Sequence, residues 1–311
     1  MATRIELHRQ HNEACVKKCN KEERKQRSEN DLCSIVKSAT DGMPIRCVGQ
    51  WAEQKIYLLN QYFGIFAQGM KNKWTEINYI EICSGPGRCI DRQCGAEFDG
   101  TALSILQHSA ARHIKNALFF DYDTTVVDVL NKRIEQLGCT NAAAFIGDYN
   151  NPRSICDIIS RRISQTSSLN LVLLDPTDCS VPFELLVQLK RTIKNIDIII
   201  NVATGTDFNR NIPMAFNDRE RALKYCRFLG NDDFFTSPQN EYLKNTKQYD
   251  LLRERFRESY KQSLEKLGYK HFRLHHIEHY YDILFAAGHP KATQFWDMAQ
   301  AIPYDGQRSL F

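Results

Sequence analysis

Short apolar runs alternate with amphipathic stretches through the middle of the chain. Each run is four to seven residues long, which is the length of a buried strand. We predict five strands, over residues 77–83, 117–120, 142–146, 169–174 and 196–202. Mainly apolar strands that alternate with helices occur in sheets covered on both faces, so the pattern predicts a parallel sheet.

The stretches between these strands carry apolar residues at every third or fourth position, the spacing of a helix with one buried face. We predict helices over residues 51–70, 101–111, 124–137, 152–163 and 183–192. Pro152 suits the start of its helix, because the first N–H of a helix has no partner within that helix. Asp123 precedes the third helix and is expected to cap it.

The alternation stops after residue 204. Residues 205–270 have helical spacing, and two strands, 272–278 and 281–287, follow with two residues between them. A connection that short joins antiparallel strands. A last helix is predicted over residues 292–301.

The chain is therefore predicted to have an α/β fold, with a doubly wound, mostly parallel sheet, a helical insertion and a C-terminal antiparallel hairpin. This is the ground plan of class I methyltransferases. The predicted units are a polar N-terminal arm (1–48), a Rossmann-like core (49–204), the insertion (205–270) and a hairpin and helix that complete the core (271–311). We expect the insertion to cover the edge at which the parallel strands end.

The first strand runs into a glycine turn, which is formed by residues 84–87. Glycine lets a ligand approach the backbone closely because no Cβ intervenes. In a doubly wound sheet, a nucleoside cofactor lies across the carboxyl ends of the strands. Acidic residues follow the next two strands, at Asp121 and Asp148. This order suits S-adenosylmethionine, whose methionine part needs a close backbone approach, while its ribose and its adenine amino group each suit an acceptor.

We predict S-adenosylmethionine as the cofactor. The predicted binding residues are the end of the first strand, the glycine turn and the two acids: Glu81, Cys83, Ser84, Gly85, Gly87, Asp121 and Asp148. Each of them also has an ordinary interpretation, since glycines form turns and aspartates cap helices.

The fourth strand ends at Asp175 and Pro176. Enzymes that methylate amino groups of nucleic acids place an acid or Asn here, followed by prolines and an aromatic residue. The acid and the proline carbonyl accept hydrogen bonds from the target amine. In this chain Thr177 and Asp178 follow instead, so no aromatic residue comes next to stack on a base, and Phe183 is expected to face the core.

The predicted catalytic residues are Asp175, Pro176, Asp178 and Arg210. Arg210 follows the fifth strand, at the same sheet edge as the glycine turn. A guanidinium group there suits a substrate carboxylate or phosphate. Its alternative role is to cap the preceding loop.

Several blocks of sequence, spread from about residue 42 onward, carry a family resemblance. The blocks are residues 48–53 with Lys55, 79–88, 99–103, 174–177 with 181–183, Asn201 with 209–211, and 280–289 with Phe295 and Trp296. In these blocks the chain resembles the three-Cys-motif partner proteins. The resemblance implies a methyltransferase-like fold and a partner, a radical-type protein that carries three cysteines. It implies no substrate.

Three functions therefore stand as hypotheses. The first is methyl transfer from S-adenosylmethionine to an unknown acceptor, together with the three-cysteine partner. The second is a non-catalytic role, in which a degenerate cofactor fold escorts that partner. The third is a component of a nucleic-acid-modifying or defence system.

Composition and charge exclude few functions. With 311 residues, 42% of them hydrophobic and 25% charged, the chain has the make-up of a soluble globular protein. It has neither a run of about 20 apolar residues for a membrane helix nor a secretory signal, so we expect a cytoplasmic protein without membrane contact. The net charge is +4. Residues 1–46 contain ten Lys and Arg against seven Asp and Glu, a weakly basic arm that suits nucleic acid or a solvated helix.

The eleven cysteines are expected to be reduced thiols in this setting, and we predict no metal site. Four of them could supply the four ligands of a zinc ion: Cys15, Cys19, Cys33 and Cys47. Their spacing lacks the short paired intervals of zinc ribbons. His271, His275 and His279 share one face of a predicted strand. They are too widely spaced along it, at about 13 Å for four residues, to bind one ion.

Overall fold

The computed structural model describes residues 32–277 and 280–304. Its strands are β1 (Leu32–Lys37), β2 (Pro44–Val48), β3 (Glu76–Ile82), β4 (Arg88–Asp91), β5 (Glu97–Asp99), β6 (Asn116–Asp121), β7 (Ala142–Ile146), β8 (Ser168–Leu174), β9 (Ile196–Val202), β10 (His271–Ile277) and β11 (Tyr281–Ala287).

The α-helices in this part of the chain are α1 (Trp51–Met70), α2 (Thr101–Gln107), α3 (Thr124–Gln136), α4 (Pro152–Arg162), α5 (Phe183–Thr192), α6 (Asn209–Ala215), α7 (Arg219–Leu229), α8 (Pro238–Asn245), α9 (Tyr249–Lys266) and α10 (Pro290–Gln300). A 3-10 turn covers Ser109–His113, and a π-helical turn covers Thr204–Phe208.

Seven strands form the main sheet in the order β10-β11-β9-β8-β3-β6-β7. The five strands from β9 to β7 are parallel to one another, and β11 pairs antiparallel with both β9 and β10. The predicted α/β fold is confirmed. The five parallel strands end on the same side of the sheet, which we call the carboxyl edge.

Helices cover both faces of this sheet. The chain moves outward from β3 through β6 to β7, and then from β8 to β9 in the opposite direction. Since such crossovers are right-handed, α2 and α3 lie on one face and α4 and α5 on the other. Helix α1 packs against α2 and α10 on the first face. There Tyr62, Phe285 and Trp296 form an aromatic cluster with ring centroids 4.9–5.3 Å apart.

A second, four-stranded sheet of order β1-β2-β4-β5 was not predicted from the sequence. The pattern assigns residues 32–48 to a polar arm, but 32–37 and 44–48 are strands. Strand β2 pairs in parallel with β4, with Val48 opposite Asp91. The buried side chains between the strands are Cys33, Val36, Ile45 and Ile90. Residues 1–31 of the predicted arm lie outside the described residues.

Arg133 ties this small sheet to the main one. Its guanidinium group forms a bidentate ion pair with Asp41, at 2.7 and 3.0 Å, and also donates to the carbonyl of Pro86 at 2.5 Å. Only 2% of the Arg133 side chain and 7% of the Asp41 side chain are exposed. One buried cation therefore connects the turn after β1, helix α3 and the glycine turn.

One predicted helix differs clearly from the prediction, while the helices predicted over 124–137, 152–163 and 292–301 differ by one or two residues. Residues 101–111 were expected to be one helix, but α2 ends at Gln107 and His108 has an extended backbone. The ring Nδ1 of His108 accepts the N–H of Ala110 at 3.0 Å and so starts the 3-10 turn. Asp123 caps α3 as predicted, since it accepts the N–H groups of Thr125 and Val126. Phe183 is buried as predicted.

The helical segment after β9 contacts the carboxyl edge, as expected. Asp207 accepts the N–H of Cys179 at 2.9 Å. Lys224 pairs with Asp207 at 2.8 Å and with Asp178 at 2.9 Å. These contacts hold the segment against the loop that follows β8. No helix in the two described ranges has both the length and the apolar character needed to cross a membrane.

Candidate functional site

A cavity of about 240 Å³ opens at the carboxyl edge. Its walls come from the end of β2, the start of α1, the glycine turn after β3, the loops after β8 and β9, and the start of β11. The predicted site residues that line it are Ser84, Gly85, Gly87, Asp175, Pro176 and Arg210. Strand β4 and the start of α2 also contribute, through Cys89, Arg92, Gly100 and Thr101, so eight separate segments share one site.

The glycine turn needs backbone conformations that other residues rarely adopt. Gly85 and Gly87 have φ values of +65° and +89°. A Cβ on Gly87 would lie 2.9 Å from the Leu130 side chain and 3.0 Å from the Leu103 side chain, so a residue other than glycine would also have to displace these two leucines. Cys83 also has a positive φ, +66°, which is costly for a residue with a Cβ. The turn is thus fixed in a strained shape with its amides near the cavity.

Asp121 supports this turn from the neighbouring strand. Its carboxylate accepts the N–H of Gly85 at 3.0 Å and the N–H of Asp123 at 3.3 Å. Asp148 is exposed and accepts the N–H of Asn150 at 2.8 Å. Asp121 ends β6 and Asp148 follows β7 at the carboxyl edge, but neither lines the cavity. In the described structure both perform the ordinary turn-forming role.

Two exposed apolar side chains lie next to Asp121. Tyr122 directly follows Asp121, and Ile146 lies opposite Asp121 on the neighbouring strand β7. Tyr122 is 52% exposed and Ile146 is 55% exposed. Large exposed apolar groups at a strand end suit a flat aromatic ligand. The sequence predicted only the two acids as site residues here. The apolar residue near each acid, Tyr122 or Ile146, is a sequence signal that could have extended the predicted site.

Asp175 is part of a buried polar network. Both of its carboxylate oxygens accept hydrogen bonds from Lys55, at 2.5 and 2.6 Å. Asn201 donates to Asp175 at 2.9 Å and to the carbonyl of Pro176 at 3.2 Å. The Lys55 and Asp175 side chains are 8% and 11% exposed. The pair is therefore shielded from water, and Lys55 fixes the carboxylate at the cavity wall.

Asp178 lies elsewhere. It was predicted to be catalytic because it follows Pro176 so closely, but its carboxylate pairs with Lys224 of the helical segment at 2.9 Å. The chain turns away from the cavity after Thr177, which is the last residue of this loop to line it. Asp178 thus anchors the segment and does not face the reacting space.

Glu81 and Cys83 lie beneath the turn. Glu81 is 1% exposed and accepts a hydrogen bond from the Tyr79 hydroxyl at 2.8 Å. Burial, followed by the charge of Asp175, raises the pKa of Glu81 to about 8. Burial also raises the pKa of the Cys83 thiol far above its usual range, and that of the Cys89 thiol to about 12. These groups are neutral at pH 7, and none is poised as a nucleophile.

The raised pKa of Glu81 predicts a pH-dependent stability. Between its ordinary value of 4.5 and about 8, the unfolded chain loses a proton that the folded protein keeps. The free energy of unfolding should therefore fall as the pH rises through this window, by up to about 1.4 kcal/mol per pH unit. Glu81→Gln should flatten the slope, as measured by urea unfolding at pH 5, 6.5 and 8.

Two comparisons separate the contribution of Glu81 to this slope from that of other acidic groups. Burial also raises the pKa of Asp197, to about 7, so part of the slope should persist in Glu81→Gln. Glu135→Gln, on the exposed side of α3, should leave the slope as in the parent protein. An unchanged slope in Glu81→Gln would show that Glu81 is ionised in the folded state.

Several polar atoms around the cavity are buried without a hydrogen-bond partner among the described residues. They are Ser84 Oγ, Asn201 Oδ1 and Thr206 Oγ1, and all three residues line the cavity. A buried polar atom without a partner costs roughly 1–3 kcal/mol. These atoms therefore favour a bound polar ligand or ordered water in the cavity.

Three aromatic and four basic side chains line the cavity. Trp51, Tyr280 and Tyr281 form what we call the aromatic wall, with centroids 5.8 Å apart for Trp51 and Tyr280 and 4.5 Å apart for Trp51 and Tyr281. The basic residues that line the cavity are Arg46, Lys55, Arg92 and Arg210, and the acidic one is Asp175. Of the four basic residues, the sequence predicted only Arg210 as a site residue.

The described residues contain no group of three side chains suited to a metal ion. Cys33 is buried in the small sheet, and Cys47 lines the cavity. Cys15, Cys19 and His279 lie outside the described residues. His275 contacts Gln300, and His276 contacts Asp282 through Nδ1.

No family model and no curated protein matches the sequence. Among solved structures, M. jannaschii TYW2 in complex with AdoMet (S-adenosylmethionine) shares 10% identity at a TM-score of 0.37, over 84% of this chain and 86% of that one. Aeropyrum pernix fibrillarin, with natively bound S-adenosyl-L-methionine, shares 8% at 0.37, over 68% and 66%. M. capricolum TrmK, in complex with S-adenosyl-homocysteine, shares 11% at 0.33, over 72% and 67%. These values are too low to assign the chain to a family.

Proposed function

We propose that the protein transfers a methyl group from S-adenosylmethionine to an acceptor bound in the cavity. The observation that carries this proposal is the position of Asp175 and Pro176. They share one cavity with the glycine turn, at the carboxyl edge of a five-stranded parallel sheet. Ligands of such sheets bind at this edge.

The residues present fit the cofactor. The N–H of Gly87, which has no acceptor among the described residues, and the side chain of Arg46, which lies close to Gly85, would hold its methionine part. Asp121 would accept from the ribose, and Tyr122 and Ile146 would flank the adenine. The cavity is smaller than typical ligand sites of roughly 300 Å³ or more, which is consistent with an adenosine part that lies outside it along β6 and β7.

When bound, the cofactor supplies a methyl group whose bond to sulfur breaks as an acceptor lone pair forms the new bond. The chain's own contribution is to orient that acceptor. Asp175 and the Pro176 carbonyl are acceptors at the cavity wall, and they suit an N–H or O–H donor on the substrate. Lys55 and Asn201 hold both in place.

Removal of the Asp121 carboxylate should weaken cofactor binding. Asp121→Ala loses the ribose acceptor and also frees the N–H of Gly85. The loss of such a charge-assisted hydrogen bond is expected to cost roughly 1.5–3 kcal/mol. Titration calorimetry with S-adenosylmethionine and S-adenosylhomocysteine measures it directly.

Asp128→Ala serves as the matched control, because Asp128 is an exposed carboxylate on α3. It should bind both ligands like the parent protein. If the parent protein binds neither ligand, cofactor use is rejected. If Asp121→Ala binds as tightly as the parent, the assignment of the ribose to Asp121 is wrong.

A partner is the second part of the proposal. Residues from nearly every block that carries the resemblance to three-Cys-motif partner proteins line this cavity, including Val48, Lys55, Ser84, Thr101, Thr177, Asn201, Arg210 and Tyr280. That clustering supports a site that works with the three-cysteine radical-type protein. Co-purification of the two proteins from co-expressing cells tests the association.

The alternative is a non-catalytic escort for that partner. Its supporting observation is that Lys55 and Asn201 already occupy the carboxylate of Asp175. A protein that binds both the cofactor and the partner, yet forms no S-adenosylhomocysteine with any acceptor, would favour this role.

A further inference from the structure

We infer that the methyl acceptor is a nucleotide whose base carries an exocyclic amine and stacks on the aromatic wall. This inference rests on the proposed function and deepens it. The sequence argued against a base, because no aromatic residue follows Pro176. The structure supplies aromatic rings from two other segments, at Trp51 and Tyr280–Tyr281.

The aromatic wall is positioned for a planar ligand. Trp51 and Tyr280 are only half-buried, while Tyr281 is buried behind them. The Trp51 indole folds back over Gly49, where an added Cβ would lie 2.4 Å from its Nε1. The Trp51 ring is therefore held in place by its contacts with the Gly49 backbone and with the Tyr281 ring. Stacking on rings of this kind is sequence-tolerant, because every base has a π face.

The order of strands places acceptor and cofactor side by side. Along the carboxyl edge the glycine turn follows β3, Asp175 follows β8, Asn201 ends β9, and Tyr281 begins β11. At about 4.8 Å per strand, the aromatic wall lies roughly 14 Å from the glycine turn. That span accommodates one base between them, and Asp175 and Pro176 lie one strand, about 4.8 Å, from the glycine turn.

The charge of the cavity indicates an anionic ligand. Four basic side chains and one carboxylate line it, and Lys55 already neutralises Asp175. Arg210 is exposed and has no ion pair or hydrogen bond among the described residues. Arg92 donates to the carbonyls of Cys47 and Val48 and has no carboxylate partner in the described ranges. With Arg46 assigned to the cofactor, Arg92 and Arg210 remain for a phosphate group.

Asp175 and the Pro176 carbonyl suffice to orient the amine for the transfer of the methyl group. The amine donates its two N–H bonds toward Asp175 and the Pro176 carbonyl, so its lone pair points at the methyl carbon. The nitrogen–carbon bond forms as the carbon–sulfur bond breaks, and that bond's electron pair stays on sulfur. The methylated amine then loses one proton to Asp175 or to water.

The test uses the full chain saturated with S-adenosylhomocysteine, which blocks the cofactor's own adenine site. The four nucleoside 5′-monophosphates, the matching nucleosides and single-stranded oligonucleotides are titrated separately. Calorimetry reports binding, and tryptophan fluorescence, to which Trp51 contributes together with Trp74 and Trp296, follows it independently. At least one of the three amine-bearing monophosphates should bind roughly tenfold or more tightly than its nucleoside, and more tightly than uridine monophosphate.

Paired variants separate stacking from charge. Tyr280→Ala should weaken nucleotide binding roughly 5- to 150-fold, the range seen for loss of one stacking ring, and Tyr280→Phe should restore it. Arg210→Met should lower the affinity for monophosphates but not for nucleosides. Arg219→Met removes an exposed charge away from the cavity and should change neither.

The outcomes distinguish this inference from the proposed function. If S-adenosylhomocysteine binds but no nucleotide or oligonucleotide does, the acceptor class is wrong and cofactor use stands. If S-adenosylhomocysteine fails to bind, the same titrations on the ligand-free protein still decide nucleotide binding at the aromatic wall. Tighter binding of oligonucleotides than of any monophosphate identifies a strand as the source of the base, and the reverse identifies a free nucleotide.

Discussion

Asp175→Asn should lower the rate of methyl transfer by roughly 10²–10⁴-fold, the usual contribution of a positioned acid–base group. The amide keeps the shape of the side chain and one acceptor oxygen, but it no longer carries the charge that orients the donor and takes its proton. Cofactor affinity should change little, because Asp175 lies one strand away from the glycine turn. The rate of S-adenosylhomocysteine formation at saturating cofactor and acceptor measures the effect.

The Asp175→Asn variant also removes the counter-charge of Lys55. Lys55 is buried against Asp175, so Asp175→Asn leaves a cation without its counter-charge and should also cost stability. The double variant Lys55→Met with Asp175→Asn removes both charges. It should recover stability without recovering the rate. A folded Asp175→Asn protein with the parent's rate would instead favour the escort role.

Arg133→Met should lower the free energy of unfolding by about 3–5 kcal/mol, the cost of leaving one member of a buried ion pair alone. Asp41 would stay in place with no cation to balance it, and the carbonyl of Pro86 would lose its donor. Urea unfolding at pH 7 measures the loss. A large effect is expected because both side chains are almost fully buried.

The pair also predicts a pH response. Burial opposes ionisation of Asp41, but its hydrogen bonds from Arg133 and the Met43 amide outweigh burial and lower its pKa below 3.8. This contribution to stability is present above pH 3.8 and is lost as the pH falls through the lowered pKa. Arg133→Met with Asp41→Asn should recover part of the loss at pH 7. A single variant as stable as the parent would show that water already screens the pair.

The main sheet was predictable because its signals are local. Strands β7, β9 and β11 and helices α1 and α5 have the predicted boundaries, since each is a continuous run with one dominant period. Strands β1, β2, β4 and β5 gave no comparable signal. They are three to six residues long, which is too short for a clear pattern. The pairing of β2 with β4 that joins the two hairpins connects residues as far apart in sequence as Val48 and Asp91.

The same distinction applies to the cavity. The glycine turn and Asp175 were found because strand ends and turns have sequence signatures. The ion pair of Lys55 with Asp175 was not predicted, because the two residues are 120 positions apart and no local sequence signal indicates that they pair. Asp178 was predicted together with Asp175, but it pairs with Lys224 and does not line the cavity. Nearness in sequence does not reveal that the chain turns away after Thr177.

The parallel pairing of β2 with β4 also bears on how the chain is made. Val48 leaves the ribosome well before its partner Asp91, a delay of roughly 2–9 seconds at typical rates of synthesis. During that time β2 has no strand to pair with, and helix α1 and strand β3 emerge behind it. The pairing of β2 with β4 therefore has a higher contact order than the two hairpins it joins, and it closes later, as slow non-local pairings do. The part of the cavity wall that these two strands form is consequently assembled only after α1, β3 and β4 have been synthesised.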